Sequence, residues 1–280
     1  GGSDDFALAR LRELRAFERM LRAAHANPGV IPKEVWQPVR DRFLEKLDGQ
    51  AHRHDLADLI TRFEDDAKGR IDPGEWAAFL REIRIGDVAQ AAGSTVFVST
   101  MHKSKGREFT NVFVHLDDFP MHKEEELRLL YVACTRAMER LVVHTNTSFL
   151  PHYTPPQLVR EHSDHQHLWP ERLEYVLGMR EVHLGSCWYA RDRIRCLKTG
   201  DALMPCTTQF ANGPASGLGT EGESMLLYAK KFKQETLSRF ERQHYRITGG
   251  RVEYIVEWHN EKEQQWHEVV LPRVVLERSP

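Results

Sequence analysis

Apolar residues in the first third of the chain recur at three- and four-residue spacing. Phe6, Leu8, Leu11, Leu14, Phe17 and Leu21 follow Asp4 and Asp5 in this way, which predicts a helix with one buried stripe. Val35, Trp36, Val39, Phe43 and Leu47 predict a second helix after Pro32, and a third is expected from about Asp55 to Phe63. Asp72 before Pro73 is a start signal, because an aspartate side chain satisfies free helix N–H groups and proline fits the first turn. Trp76, Phe79, Leu80 and Ile83 give this fourth helix its apolar face.

The pattern changes at Gly93. Thr95 to Val98 and Val112 to Leu116 are short β-branched and aromatic runs that read as buried strands, separated by the Lys103-Ser104-Lys105-Gly106 turn. Glu124 to Met138 reads as a helix with acidic residues in its first turn, and Leu141 to Thr145 as a third strand. Strands alternating with helices predict a parallel sheet with function at its loop ends. From Pro151 to about Gln166 the chain is rich in Pro and His and reads as a surface connection. A helical stretch through Leu173, Val176 and Leu177 is expected next. A mobile loop follows where Gly213, Gly217, Gly219 and Gly222 crowd together, and then a helix over 223–244. Val252 to Trp258, Trp266 to Pro272 and Val274 to Leu276 predict the strands of a small barrel-like or meander module.

The expected class is α/β: a partial parallel sheet, an N-terminal helical segment and a small C-terminal β-rich, barrel-like domain. The boundaries read as a helical segment over 1–90, a sheet core over 91–150, a connector over 151–185, and an α+β accessory domain over 186–280 that ends in a β-meander. With 280 residues, 41% of them hydrophobic, the chain is long enough for two cores. Gly1-Gly2-Ser3 reads as a linker or cloning scar, so a cut from a longer protein is expected.

Composition narrows the function. Lys and Arg number 39 against 41 Asp and Glu, a net charge of −2, which argues against a surface that is everywhere a nucleic-acid footprint and leaves room for a local basic groove. The four cysteines, Cys134, Cys187, Cys196 and Cys206, show no Cys-x-x-Cys spacing, so reduced thiols and a cytoplasmic setting are expected. No apolar run approaches the roughly eighteen residues of a membrane helix, and no membrane partner is expected.

Two motifs carry the candidate chemistry. The first is Thr100-Met101-His102-Lys103-Ser104-Lys105-Gly106-Arg107-Glu108-Phe109, in which Gly106 permits a tight turn after Lys105 and the loop exposes backbone N–H groups to phosphate. The second is Tyr131-Val132-Ala133-Cys134-Thr135-Arg136-Ala137. On the expected helix, Arg128 and Arg136 would lie roughly 80° apart. An arginine delivered by a closing domain stabilises a transferring phosphate only in the closed state, so hydrolysis would report on conformation.

Thr100, His102, Lys105, Gly106, Glu108 and Phe109 match T-x-H-x-x-K-G-x-E-F, and with the second motif the region resembles the C-terminal part of UvrD/Rep-type superfamily 1 DNA helicases. The resemblance implies that residues 91–150 belong to a RecA-like second motor domain of which the 1–90 helices are also part. It implies that Arg136 is a catalytic arginine finger, that Lys105, Gly106 and Glu108 join it around the nucleotide, and that Thr100, His102 and Lys103 face single-stranded DNA. Arg107 stands where the family is usually apolar, and Leu127 replaces a common arginine.

No G-x-x-x-x-G-K-[ST] phosphate loop occurs in the sequence, and the family's magnesium-binding acidic pair is absent too. ATP and Mg2+ are therefore expected in a complete parent, with the missing first motor domain as a partner, and neither cofactor binding nor ATPase activity is expected of this chain alone. The C-terminal strands resemble the tail of bacterial RecQ-like helicases fused to a UvrD-type region, and a protein partner is expected there. The competing expectation is a degenerate motor fold that binds DNA or protein without ATP chemistry.

Three further features carry less. Glu64 to Glu75 spaces Gly69, Ile71 and Glu75 like an EF-hand loop, but Lys68 occupies a ligand position where a cation repels calcium, so a plain helix-loop-helix is expected. His162, Asp164, His165 and His167 read as a solvated tract rather than a metal site. Tyr254, Trp258 and Trp266 read as one face of a core rather than a base-stacking surface.

Overall fold

A computed structural model describes residues 7–27, 29–83, 98, 100–117, 119–120, 123–146, 156–162, 169–210 and 213–279. The chain forms two compact units: one within 96–168, and one within 7–95 together with 169–280.

The larger unit begins with four helices, α1 (Arg12–Ala24), α2 (Lys33–Lys46), α3 (Arg53–Asp66) and α4 (Pro73–Glu82). Their apolar stripes meet in an aromatic cluster. Phe17 lies edge-on to Trp36 at 5.3 Å and to Trp76 at 5.7 Å, and Phe63 lies edge-on to Trp76 at 4.9 Å, the geometry that ring quadrupoles favour. Asp72 Oδ1 accepts from the N–H groups of Gly74 (2.7 Å) and Glu75 (3.2 Å), which caps α4 as its sequence requires. The α1–α2 and α3–α4 loops are tied by a bridge in which Ile31 N–H donates to the Ile71 carbonyl at 2.8 Å. Glu64, in the last turn of α3, accepts from Trp36 Nε1 and from Arg40, and Asp72 caps α4, so both carboxylates bond within the protein.

Six strands complete this unit: β3 (Arg172–Val176), β4 (Ala202–Phe210), β5 (Gly213–Thr220), β6 (Glu223–Leu227), β7 (Tyr245–Asn260) and β8 (Gln265–Arg278). They are antiparallel in the order β3-β8-β7-β4-β5-β6. The helices and this sheet share one core that runs from Leu8, Phe17 and Trp36 to Val256, Val270 and Leu276. Leu11 forms a bridge with Val256, and Arg12 donates to the carbonyls of Ile194 and Leu197, which fixes α1 to the C-terminal part. The sequence groups the helices with the motif region, whereas their buried residues share a core with the C-terminal strands, which α1 meets at β7. Buried Glu253 accepts two bonds from Arg273, at 2.8 Å and 2.5 Å.

Several expectations are corrected here. Leu173 to Leu177 lies on and beside a strand rather than a helix, because pairing with β8 overrides local preference. The glycine-rich stretch is β5 and its turn into β6 rather than a loop. A Cβ on Gly217 or Gly219 would lie 1.9 Å from the carbonyl oxygen of Leu226 or Glu223, so glycine permits the close approach of β6. The helix expected over 223–244 is confined to a π-turn at Phe232–Leu237 and Ser238–Arg242. The barrel is also replaced by an open sheet. β4 pairs with β7 only at Ala202 and Leu203 before it runs off with β5, and the helices cover the apolar residues that closure would otherwise bury.

The smaller unit contains β1 (Phe109–His115), α5 (Glu124–Cys134) and β2 (Ala137–His144). β1 and β2 are parallel, as the alternation of strand and helix requires, with Phe109 opposite Ala137 and His115 opposite His144. Val114, Leu116, Leu130 and Ala133 form its core, with Met101, Val112, Phe119, Cys134 and Val143 packed against them. The strand expected at 95–98 lies outside the described residues except Val98, which is exposed and has no regular structure. Helix α5 ends at Cys134 instead of Met138, because pairing with β1 takes Ala137 and Met138 into β2. Arg136 is thus on a two-residue link, and its expected angle to Arg128 does not apply.

Candidate functional site

The two motifs meet at the amino ends of β1 and β2. A 3-10 turn, Met101–Ser104, is pinned by Met101, which packs on the small core, and by Ser104 Oγ, which donates to the Met101 carbonyl at 2.7 Å. Gly106 then turns the chain at φ 82, a left-handed value that glycine adopts without strain, and β1 begins at Phe109. On the other side α5 stops, and Thr135 and Arg136 lead into β2. Phe109 N–H donates to the Arg136 carbonyl at 2.9 Å, so the end of one motif is bonded to the end of the other.

The Arg136 side chain strengthens that junction. Its Nε donates to the Val132 carbonyl at 3.0 Å, Nη2 to Thr135 Oγ1 at 3.1 Å, and Nη1 to the Arg107 carbonyl at 3.4 Å. Thr135 Oγ1 in turn donates to the Val132 carbonyl at 3.0 Å. A cation at a helix C-terminus faces the negative end of the macrodipole, so this position is favourable for an arginine. The guanidinium is half-buried. Around it Thr100, His102, Lys105, Gly106 and Glu108 are exposed, and Arg107 is half-buried; the Lys103 side chain lies outside the described residues. The helix Glu124–Cys134 opens with Glu124, Glu125 and Glu126, and Arg128 pairs with Glu124 on the exposed face. Arg128 therefore belongs to the helix surface, while Arg136 belongs to the junction. Burial pushes the Cys134 thiol above its ordinary pKa, so it stays protonated and suits packing rather than chemistry.

The junction offers a half-buried guanidinium on a rigid mount beside a loop of exposed polar groups and turn N–H groups, a donor set suited to an anionic phosphate. The parts that sequence reasoning did not name are the Arg107 and Val132 carbonyls and the Thr135 hydroxyl. Main-chain acceptors leave no signature in residue identity, although Thr135 next to Arg136 was legible. Among the described residues no group of three or more His, Cys, Asp or Glu is arranged to hold a metal ion, and Asp164, His165 and His167 lie outside them. No helix among the described residues is long and apolar enough to cross a membrane.

The family model of the UvrD-like helicase C-terminal domain matches residues 95–144, the stretch that contains both motifs, β1, α5 and β2. That stretch is similar to the C-terminal domain of UvrD-like helicases. No curated protein and no solved structure matches the chain.

Proposed function

We propose that this chain is the C-terminal part of an ATP-dependent DNA helicase, and that the unit over 96–168 is a piece of its RecA-like second motor domain. The observation that supports the reading most is the Arg136 junction: the two motifs that resemble helicase motifs fold onto each other through the Phe109–Arg136 and Arg136–Arg107 bonds. Arg136 would stabilise charge on the transferring phosphate of ATP, whose phosphates and Mg2+ would be held mainly by a first motor domain. Lys105, Gly106 and Glu108 lie on the loop bonded to Arg136 and would line the nucleotide. Thr100, His102 and Lys103 open the same loop and would contact single-stranded DNA, which ties the DNA grip to the position of the arginine.

The exposed face of the sheet fits a fragment of a larger layer. Parallel sheets are normally covered on both faces, yet Phe113 is 65% exposed on the face it shares with His115 and His144. The test is DNA-stimulated ATP hydrolysis by the full-length polypeptide with Arg136 replaced by Ala. An arginine that stabilises a transferring phosphate is worth about 10³- to 10⁵-fold in rate, so a loss of that size is expected, with ATP binding retained. Unchanged hydrolysis would leave a DNA- or protein-binding module instead.

A further inference from the structure

We propose that the surface around Trp188 and Tyr189, in the unit without the motifs, is a binding site for single-stranded nucleic acid. The segment from Leu184 to Leu197 is a 3-10 turn, Leu184–Trp188, followed by a single helical turn, Arg191–Ile194. Cys187, Ala190, Ile194 and Leu197 are buried and anchor it to the core. Between these anchors two successive aromatic rings face solvent, with Trp188 51% and Tyr189 72% exposed. They line a cavity of about 490 Å³ with Arg191, Asp192 and Arg193.

The rings are held in place from several sides. The Arg191 guanidinium lies 5.9 Å from the centre of the Trp188 ring, Trp188 meets buried His267 edge-on at 6.0 Å, and Tyr189 lies 6.4 Å from the exposed ring of Phe210. Arg193 braces the wall: it binds Glu223 at 2.6 Å and the carbonyls of Tyr189 and Ser224. Arg191 and Arg195 flank one carboxylate, Asp192, at 3.8 Å and 3.6 Å, and Arg195 also faces Glu268, so exposed guanidiniums line the outer rim beside these carboxylates. Flat rings on a rigid mount stack on bases of any sequence, and guanidiniums at their edge take phosphate oxygens. A duplex hides its base faces, so this chemistry selects single strands.

The test is a titration of a labelled oligo-dT of about twelve nucleotides, long enough to cover one such site. The unmodified chain is compared with the double variants Trp188→Ala/Tyr189→Ala and Arg191→Glu/Arg195→Glu, with melting curves for each, and with Thr100→Ala/His102→Ala as a control at the motif loop. Each of the first two variants is expected to weaken binding at least about tenfold, since each base stacked on an aromatic ring is worth about 1–3 kcal/mol. The arginine variant should also flatten the salt dependence, and the motif-loop control should leave this increment in place. Affinity for oligo-dT left unchanged by both variants in folded protein would overturn the proposal. So would absence of binding by the unmodified chain, or competition by duplex DNA or polyglutamate as strong as by oligo-dT. The outcome is independent of the Arg136 reading, which is decided by ATP hydrolysis.

Discussion

The helix-and-sheet unit and the motif unit bury their apolar residues to different extents. The first encloses Phe17, Trp36, Phe43, Tyr245 and the β7–β8 interior in a single continuous core, with Arg273, Glu253 and His52 bonded inside its edge. Among the described residues of the second, Val114, Leu116, Leu130 and Ala133 form the buried cluster, and Phe113, Tyr131 and Met138 are exposed. The difference teaches that stability and candidate chemistry are carried by separate parts of the chain. Among the described residues the motif groups lie at the surface, as the proposed contacts with a nucleotide and a strand of DNA require.

The sharpest way to break this contrast is to damage the larger core. Phe17→Ala removes a fully buried ring that touches Trp36, Phe43 and Trp76, and should cost about 3–5 kcal/mol. Chemical denaturation should show the loss in the helix-and-sheet transition, while hydrogen exchange in β1 and β2 stays as it was.

A somewhat smaller effect is expected at Glu253. Burial pushes this carboxyl up, but the hydrogen bonds and charge of Arg273, with His52 and Arg251 nearby, outweigh it, and its pKa is lowered. A carboxylate with a depressed folded-state pKa contributes stability that is present above its unfolded pKa, about 4.3, and is lost as pH falls through the folded value. Melting temperature should therefore drop on acidification below that range. Arg273→Ala should cost about 3 kcal/mol at neutral pH, because it strands a buried charge, and should reduce the acid-dependent part of the drop.

Phe113→Ala should change the melting of the chain by no more than about 0.5 kcal/mol, since the ring is exposed. The same substitution should destabilise the full-length polypeptide measurably if the sheet face is covered there. Equal melting in both settings would show that β1 and β2 stand uncovered and would weaken the case for a larger motor layer.

The N-terminal helices were legible because Leu14, Phe17, Leu21, Trp36 and Phe43 keep a helical period and Asp72-Pro73 announces α4 without ambiguity. The parallel β1–α5–β2 order followed from alternation alone. What failed was decided by partners distant in sequence. β3 and β5 became strands because β8, β4 and β6 supply hydrogen bonds, and glycines that look like a loop in isolation are the residues small enough for that approach. Arg136 was singled out as a residue, yet its place on a link and its bonds to main-chain carbonyls depend on where β2 starts. Trp188 and Tyr189 gave no periodic signal, since the short turns that display them have none.

The most direct measurement combines hydrolysis and melting for Arg136→Ala and Arg136→Lys in the full-length polypeptide with single-stranded DNA. If Arg136 acts on the phosphate, both variants lose hydrolysis by about 10³-fold or more, since lysine lacks the fork of donors, while β1 and β2 stay folded. Hydrolysis that survives, or a loss accompanied by collapse of β1 and β2, would show that Arg136 only caps α5 and braces the Arg107 loop.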